Sequence, residues 1–267
     1  MRRLLPLIAV ALVTACAPPP GQFTARQAPA ASPSAAPSPL PARPAPADLP
    51  RINYWEPAHG FPHDATPESL ASIADGLHPR KTLAVYDAPG GRPRAFLPRS
   101  ISGLPVVVPV VERRDGWVAI LLPSVNRRIG WLPATGWEPR PLRDQVIVDL
   151  SDHRLTWLRD GRPHGAWTVA VGSSRTPTPL GRTFVLGRTT THGHVYAGLD
   201  ALVLGAVPDD KEALAASLQQ GHTAIHGWSR RSAFGRSISN GCIRMPAEAQ
   251  RVLLSHLETG SVVHVVR

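Results

Sequence analysis

The chain has 267 residues, 29 Lys and Arg against 19 Asp and Glu, 30 prolines and two cysteines, with a formal net charge of +10. That length allows one large domain or two small ones at roughly 100–200 residues each. Two cysteines exclude a disulfide-dense scaffold and a zinc site of four cysteines. Beyond the N-terminus no apolar run reaches the roughly 20 residues of a membrane helix. The positive charge is nearly all arginine, Lys81 and Lys211 being the only lysines. It is spread along the chain with no stripe, so nucleic acid is not an expected partner.

The chain opens with an address. Arg2 and Arg3 precede an apolar run from Leu4 to Val13, followed by Thr14, Ala15 and Cys16. A positive flank, a short apolar core and small residues predict a signal peptide over 1–15. Leu12-Val13-Thr14-Ala15-Cys16 resembles the bacterial lipobox. The resemblance implies lipidation of Cys16, a membrane partner through that N-terminal lipid, and an extracytoplasmic place on the bacterial envelope. Several acyl chains, at about 0.8 kcal/mol per buried methylene, would anchor such a protein firmly. Residues 16–57 read as a disordered tether, because twelve prolines between Ala17 and Pro57 alternate with Ala and Ser. Such a composition cannot bury enough surface to offset the entropy of ordering.

Residues 58–140 read as a first folded unit. Thr66-Pro67-Glu68-Ser69, with Gly76 as the stop, predicts a short helix through Asp75. Thr82–Asp87, Pro105–Glu112, Gly116–Leu122 and Arg128–Leu132 then read as short strands between turns, hence a small barrel or sandwich. The pair Gly116-Trp117 and Gly130-Trp131 resembles bacterial SH3-like wall domains. Those tryptophans either bind wall material or fill a core, and the sequence leaves both open.

Residues 141–267 read as a second, mainly β unit. Val146–Leu150, Leu155–Arg159 and Trp167–Val171 are predicted strands joined by tight turns, and Ser261–Val266 is a final strand. Asp209–Leu218 and Ala247–Leu257 have the apolar spacing of helices, with Gly221 and Gly260 just beyond them. The expected architecture is an antiparallel or mixed sandwich with short helices.

Cys242 is the cysteine left once Cys16 is taken by lipid, and an unpaired thiol in an exported protein needs a reason. A nucleophile is that reason. Ser239-Asn240-Gly241-Cys242 is small, polar and turn-forming, so the thiol sits at the mouth of a loop feeding the strand Ile243–Met245. The amides of Gly241 and Cys242 are the expected oxyanion donors. A thiol with pKa about 8.5 needs a base, and His226, sixteen residues upstream in Ile225-His226-Gly227, can supply it.

His226-Gly227 followed by Ser239-Asn240-Gly241-Cys242-Ile243-Arg244-Met245 resembles the signature of the YkuD-type L,D-transpeptidases. The segment Thr176-Pro177-Thr178-Pro179-Leu180-Gly181 is similar to that family's Thr-Pro-Thr-Pro-x-Gly block. The resemblance covers about 145–267. It implies a β-sandwich catalytic domain acting on peptidoglycan stem peptides, with Cys242 as nucleophile and His226 as base, and sensitivity to carbapenems. It implies 3→3 cross-links made through a thioester. Asn240 stands where some members have a second His, and no carboxylate is present in the motif to orient His226; the Gly227 carbonyl is the expected substitute. Around this pair, Ser239 and Gly241 form the site loop, while His222 and Arg244 are candidate substrate contacts. Arg244 is two residues past Cys242, on the same face of an extended chain, where a guanidinium can fork onto a carboxylate.

His192-Gly193-His194 with His222 and His226 has ligand-like spacing, but no carboxylate accompanies it. No metal and no cofactor is expected. A papain-like hydrolase places Cys before His, and a sortase separates His and Cys much further, so neither fits. The remaining alternatives are an inactive wall-binding lipoprotein, an L,D-carboxypeptidase and an enzyme attaching proteins to the wall.

Overall fold

The computed structural model describes residues 40–219 and 221–267. The expected signal peptide, Cys16 and the tether as far as residue 39 lie outside the described residues. The chain divides into a unit Met1–Ala36 and a unit Pro37–Arg267, and everything below belongs to the second.

The first half is built of β1 (Asp75–Pro79), β2 (Leu83–Tyr86), β3 (Pro93–Leu97), the two-residue strands β4 (Ser100–Ile101) and β5 (Leu104–Pro105), β6 (Val108–Arg114), β7 (Trp117–Leu121), β8 (Ile129–Pro133) and β9 (Trp137–Pro141). Seven of them form one antiparallel sheet in the order β3-β2-β8-β7-β6-β1-β9. β7 is buried along its whole length, as its unbroken apolar sequence requires. Trp117 and Trp131 are 1 % and 4 % exposed, so both fill the core, and Tyr86 meets Trp117 edge-on at 5.0 Å. Of the two roles open to these tryptophans, the structure takes packing.

The second half runs through β10 (Asp144–Asp149), β11 (Arg154–Arg159), β12 (Arg162–Thr168), β13 (Val171–Gly172), β14 (Gly181–Thr189), β15 (Ala201–Leu204), β16 (Ala224–Gly227), β17 (Ser237–Ser239), β18 (Ile243–Met245), α1 (Ala247–His256) and β19 (Val262–Val266). Eight strands pair in the order β12-β11-β10-β19-β14-β15-β16-β18. The sheet is mixed: β10 with β19 and β16 with β18 run parallel. β19 thus returns to its middle, buried between β10 and β14. Val146, Leu155, Leu202, Ile225, Ile243, Met245, Leu253 and Val263 belong to one apolar core. The fold is mainly β with few helices, as the sequence indicated.

Three expectations fail. The helix predicted from Thr66 to Asp75 is a single turn closed by Ser69 N–H on Thr66 O, followed by extended chain entering β1. Here tertiary pairing overrides the local signals: Thr66 N–H bonds Asp64 Oδ1, Ile73 N–H bonds Gln145 Oε1, and β1 pairs with β6 and β9. The helix predicted over Asp209–Leu218 is a chain of tight turns ending in a 3₁₀ turn, Ala216–Leu218. Leu214 is buried but Leu218 is exposed, so no continuous apolar face exists for a helix to dock. The tether does not extend to residue 57. From Leu40 the chain lies on the first sheet, with Trp117 Nε1 donating to Leu40 O, Tyr86 OH donating to Arg43 O, Arg51 bridged to Phe96, and Ile52 and Tyr54 buried. In addition, the strand expected over Trp167–Val171 divides: β12 ends at Thr168 and β13 begins at Val171.

The segment between residues 64 and 73 docks the first half on the second. Arg182 of β14 donates from Nε to Asp64 Oδ2 at 2.9 Å and from Nη2 to Asp64 Oδ1 and Thr66 Oγ1, with both charged side chains buried. His264 Nδ1 bonds Ser69 O at 2.9 Å, and Gln145 Nε2 donates to Ser72 Oγ at 2.7 Å. Phe184 and Leu186 of β14 belong to the apolar core of the first half. The two halves therefore share a core, and the eight-stranded sheet is held in one position beside the first sheet.

Candidate active site

The site is set by the register of β16 on β18. His226 lies opposite Arg244 and Ile225 opposite Ile243. Cys242, immediately before β18, is level with Ala224. Strand alternation then puts Ala224, His226, Cys242 and Arg244 on one face. Ile225, Ile243 and Met245 point the other way and are fully buried. The apolar side of each strand locks the register that aligns the polar side.

His226 is buried, and its Nδ1 lies 2.9 Å from Gly227 O. A carbonyl only accepts, so Nδ1 carries the proton and Nε2 is left as the acceptor. This is the backbone substitute for a carboxylate that the sequence called for. Tyr196 meets the His226 ring edge-on at 5.0 Å, and Trp228 stands 5.7 Å from both rings. Ser229 N–H donates to Val195 O at 2.8 Å and so fixes the 3₁₀ turn His194–Tyr196 beside β16. From the other side of the strand, Gln250 of α1 donates to Ile225 O at 3.2 Å.

Burial dominates the titration of the pair. It pushes the His226 imidazole down to about 4; the Gly227 carbonyl works against that shift and the Arg244 charge adds to it. Cys242 is partly exposed, and burial raises its thiol above the ordinary value, while the Ala224 amide and the Arg244 charge pull it down. At neutral pH both groups are uncharged. The pair rests as thiol and imidazole. Arg244 acts on both members, and burial in turn lowers its own pKa. Its guanidinium carbon lies 4.0 Å from the Trp228 ring centre, and its Nε is buried without a partner.

A buried network shapes the loop that carries the thiol. Ser239 Oγ donates to Cys242 O and accepts from Gly241 N–H at 3.2 Å. Thr176 Oγ1 donates to Ser239 O at 3.1 Å, and Thr178 Oγ1 donates to Gly241 O at 3.0 Å. β13 runs parallel to β17 beneath this contact. Gly241 has φ +102°, a region that L side chains rarely adopt.

Cys242, His226 and Arg244 thus come together, with Gly227 contributing its carbonyl and Ser239 and Gly241 shaping the loop. Of the two amides expected as oxyanion donors, that of Gly241 is turned onto Ser239. His222 is half-buried, and Trp55 meets it edge-on at 5.1 Å. Burial lowers its pKa, while the backbone of Tyr54, Leu204 and Ala206 beside the ring works against that shift. Sequence reasoning missed Tyr196, Trp228 and Trp55, and gave the threonines of the Thr-Pro-Thr-Pro segment no task. Trp228 follows Gly227 directly, and that adjacency was the available signal. Among the described residues no group of three or more His, Cys, Asp or Glu is placed to hold a metal ion.

Residues 143–265 match the YkuD family, the L,D-transpeptidase catalytic domain. YkuD of Bacillus subtilis (strain 168), which carries an L,D-transpeptidase name, is 25 % identical over 130 residues, 49 % of this chain and 70 % of that protein. Its namesake in Bacillus licheniformis is 26 % identical over 127 residues, 48 % of this chain and 68 % of that protein. Among solved structures, an L,D-transpeptidase from Mycobacterium smegmatis aligns with a TM-score of 0.37 at 15 % identity, over 53 % of this chain and 74 % of that one. The catalytic domain of the E. faecium L,D-transpeptidase aligns with a TM-score of 0.33 at 23 % identity, over 46 % of this chain and 97 % of that one.

Proposed function

We propose that this chain is a peptidoglycan L,D-transpeptidase that forms 3→3 cross-links through a thioester on Cys242, with His226 as base and acid. The observation that carries the reading is the shared strand face of His226 and Cys242, with His226 Nδ1 committed to Gly227 O. Nε2 takes the thiol proton as sulfur attacks the carbonyl between the third stem residue and the terminal D-alanine. The C–N bond breaks, His226 returns the proton to the departing amine, and the acyl group stays on sulfur. The side-chain amine of a neighbouring stem then attacks the thioester. His226 takes its proton and passes it to the sulfur as the C–S bond breaks. The acyl energy is kept in the thioester, so no nucleotide is required. Arg244, whose charge favours the thiolate, helps the first step.

As part of the same proposal, the enzyme is held outside the cytoplasm by lipid on Cys16, and the first sheet is an SH3-like unit that supports the catalytic half. Incubation of the purified protein with disaccharide-tetrapeptide tests the activity. Mass spectrometry should find free D-alanine and a dimer joined between third residues; unchanged substrate would reject the reading.

A further inference from the structure

Thr178 is buried, and its hydroxyl has two partners: it accepts from Gly172 N–H at 2.9 Å and donates to Gly241 O at 3.0 Å. The approach is so close that a Cβ on Gly172 would lie 2.3 Å from Thr178 N. The peptide between Gly241 and Cys242 is trans, so its C=O and N–H point in opposite directions. A carbonyl turned onto Thr178 therefore turns the Cys242 N–H away from the 172–178 turn. The flanking peptides are fixed as well, since Ser239 Oγ accepts from Gly241 N–H and donates to Cys242 O. Two buried hydroxyls thus set three successive peptide planes at the nucleophile. Gly241's amide is already engaged, which leaves Cys242's own amide as the member of the pair available to a substrate oxygen.

We propose that Thr178 is a positioning residue that aims the Cys242 N–H at the oxyanion of the tetrahedral intermediate. The proposal rests on the acyl-transfer reading above. It concerns direction: a buried hydroxyl holds the carbonyl, and peptide planarity transmits that to the donor. Removing an oxyanion donor costs on the order of 10²–10³ in rate. Letting its peptide tilt should cost less, on the order of 10–100-fold.

The test compares two reactions of the same sulfur in the full-length protein. Acylation by a carbapenem develops an oxyanion; alkylation by iodoacetamide does not. Both are followed at Cys242 by peptide mapping and mass spectrometry. Thr178→Val should slow the saturating rate of acylation about 10–100-fold while alkylation at Cys242 stays near the wild-type rate. Thr178→Ser, which keeps the hydroxyl, should recover most of the acylation rate. Acylation of Thr178→Val at the wild-type rate overturns the proposal, as does an equal fall in alkylation, which would indicate a damaged loop. A wild-type protein that is alkylated but never acylated overturns the acyl-transfer reading itself.

Discussion

The guanidinium of Arg244 sits over Trp228, its central carbon 4.0 Å from the ring centre. A cation on an aromatic face gains about 0.5–2 kcal/mol, depending on how far it is desolvated. The contact leaves the buried Nε without a partner on the face shared with Cys242 and His226. Arg244→Lys keeps the charge but loses the planar fork. D-alanine release by this variant should fall roughly tenfold in kcat/KM, with little change in melting temperature. Trp228→Ala should give a similar loss, because the arginine would no longer be held.

Cys242→Ser should fold normally and form no covalent adduct with a carbapenem, because an imidazole alone cannot ionise an alcohol far less acidic than a thiol. Intact-protein mass spectrometry reads the result directly. An adduct that survives the substitution would place the nucleophile elsewhere.

The pH profile of acylation tests the pair. The His226 imidazole is held down to about 4, chiefly by burial. Nε2 is therefore a free acceptor well below neutrality, and the second-order acylation constant should show its acid limb near 4, not near the ordinary 6.5. His226→Ala should abolish that limb and leave a rate that climbs with pH as the thiol ionises unaided. Rapid-quench mass spectrometry across the acid range separates these cases.

Much of the second half was legible in the sequence, because β11 alternates, β19 is a short Val-rich run bounded by Gly260, and α1 carries a helical period. That the chain brings His226 and Cys242 to one strand face was foreshadowed by their spacing. Cys242 is an unpaired thiol in a polar turn, and His226 lies near enough upstream for the chain between them to loop back. The use of the Gly227 carbonyl followed from the lack of a carboxylate in the motif. What escaped were features fixed by distant contacts. The segment after Thr66 has a helix's opening residues but spends its backbone on Gln145 and on the strands beside β1. The Pro-rich chain from Leu40 offers few apolar residues, yet Ile52 and Tyr54 suffice to pin it. Tyr196 reaches His226 from a turn 30 positions away, a juxtaposition that no local pattern encodes.

Arg182 and Asp64 offer a test of how the halves are joined. Both are buried, so removing one strands the other's charge at a cost of roughly 3–5 kcal/mol. Arg182→Met and Asp64→Leu should each lower stability by about that amount in denaturant titrations. The double variant should lose much less than the two single losses combined. Additive losses would mean that the ion pair is not a coupled unit.

Acid should destabilise the fold over a defined window. His226 has a folded-state value near 4 against 6.5 for the free side chain, so between these values the unfolded chain binds the extra proton. Stability is then fully present above about 6.5 and falls as pH drops toward 4, by about 3 kcal/mol from this residue at about 1.36 kcal/mol per unit. Burial depresses His222 and His264 as well, which adds to the same slope. His226→Gln should flatten the slope, as urea midpoints measured across this range would reveal.

The contacts that tie residues 64–73 to β10, β14 and β19 bear on how the protein can be dissected. A chain cut at residue 141, where composition and spacing suggest a boundary, would begin with the eight-stranded sheet stripped of its mate. Arg182 would face water without Asp64, His264 and Gln145 would lose Ser69, Ser72 and the Ile73 amide, and Phe184 and Leu186 would be laid bare. Such a fragment should clump or melt early, even though it keeps His226 and Cys242. The smallest soluble active piece should instead begin upstream of Asp64, carrying the first sheet with it.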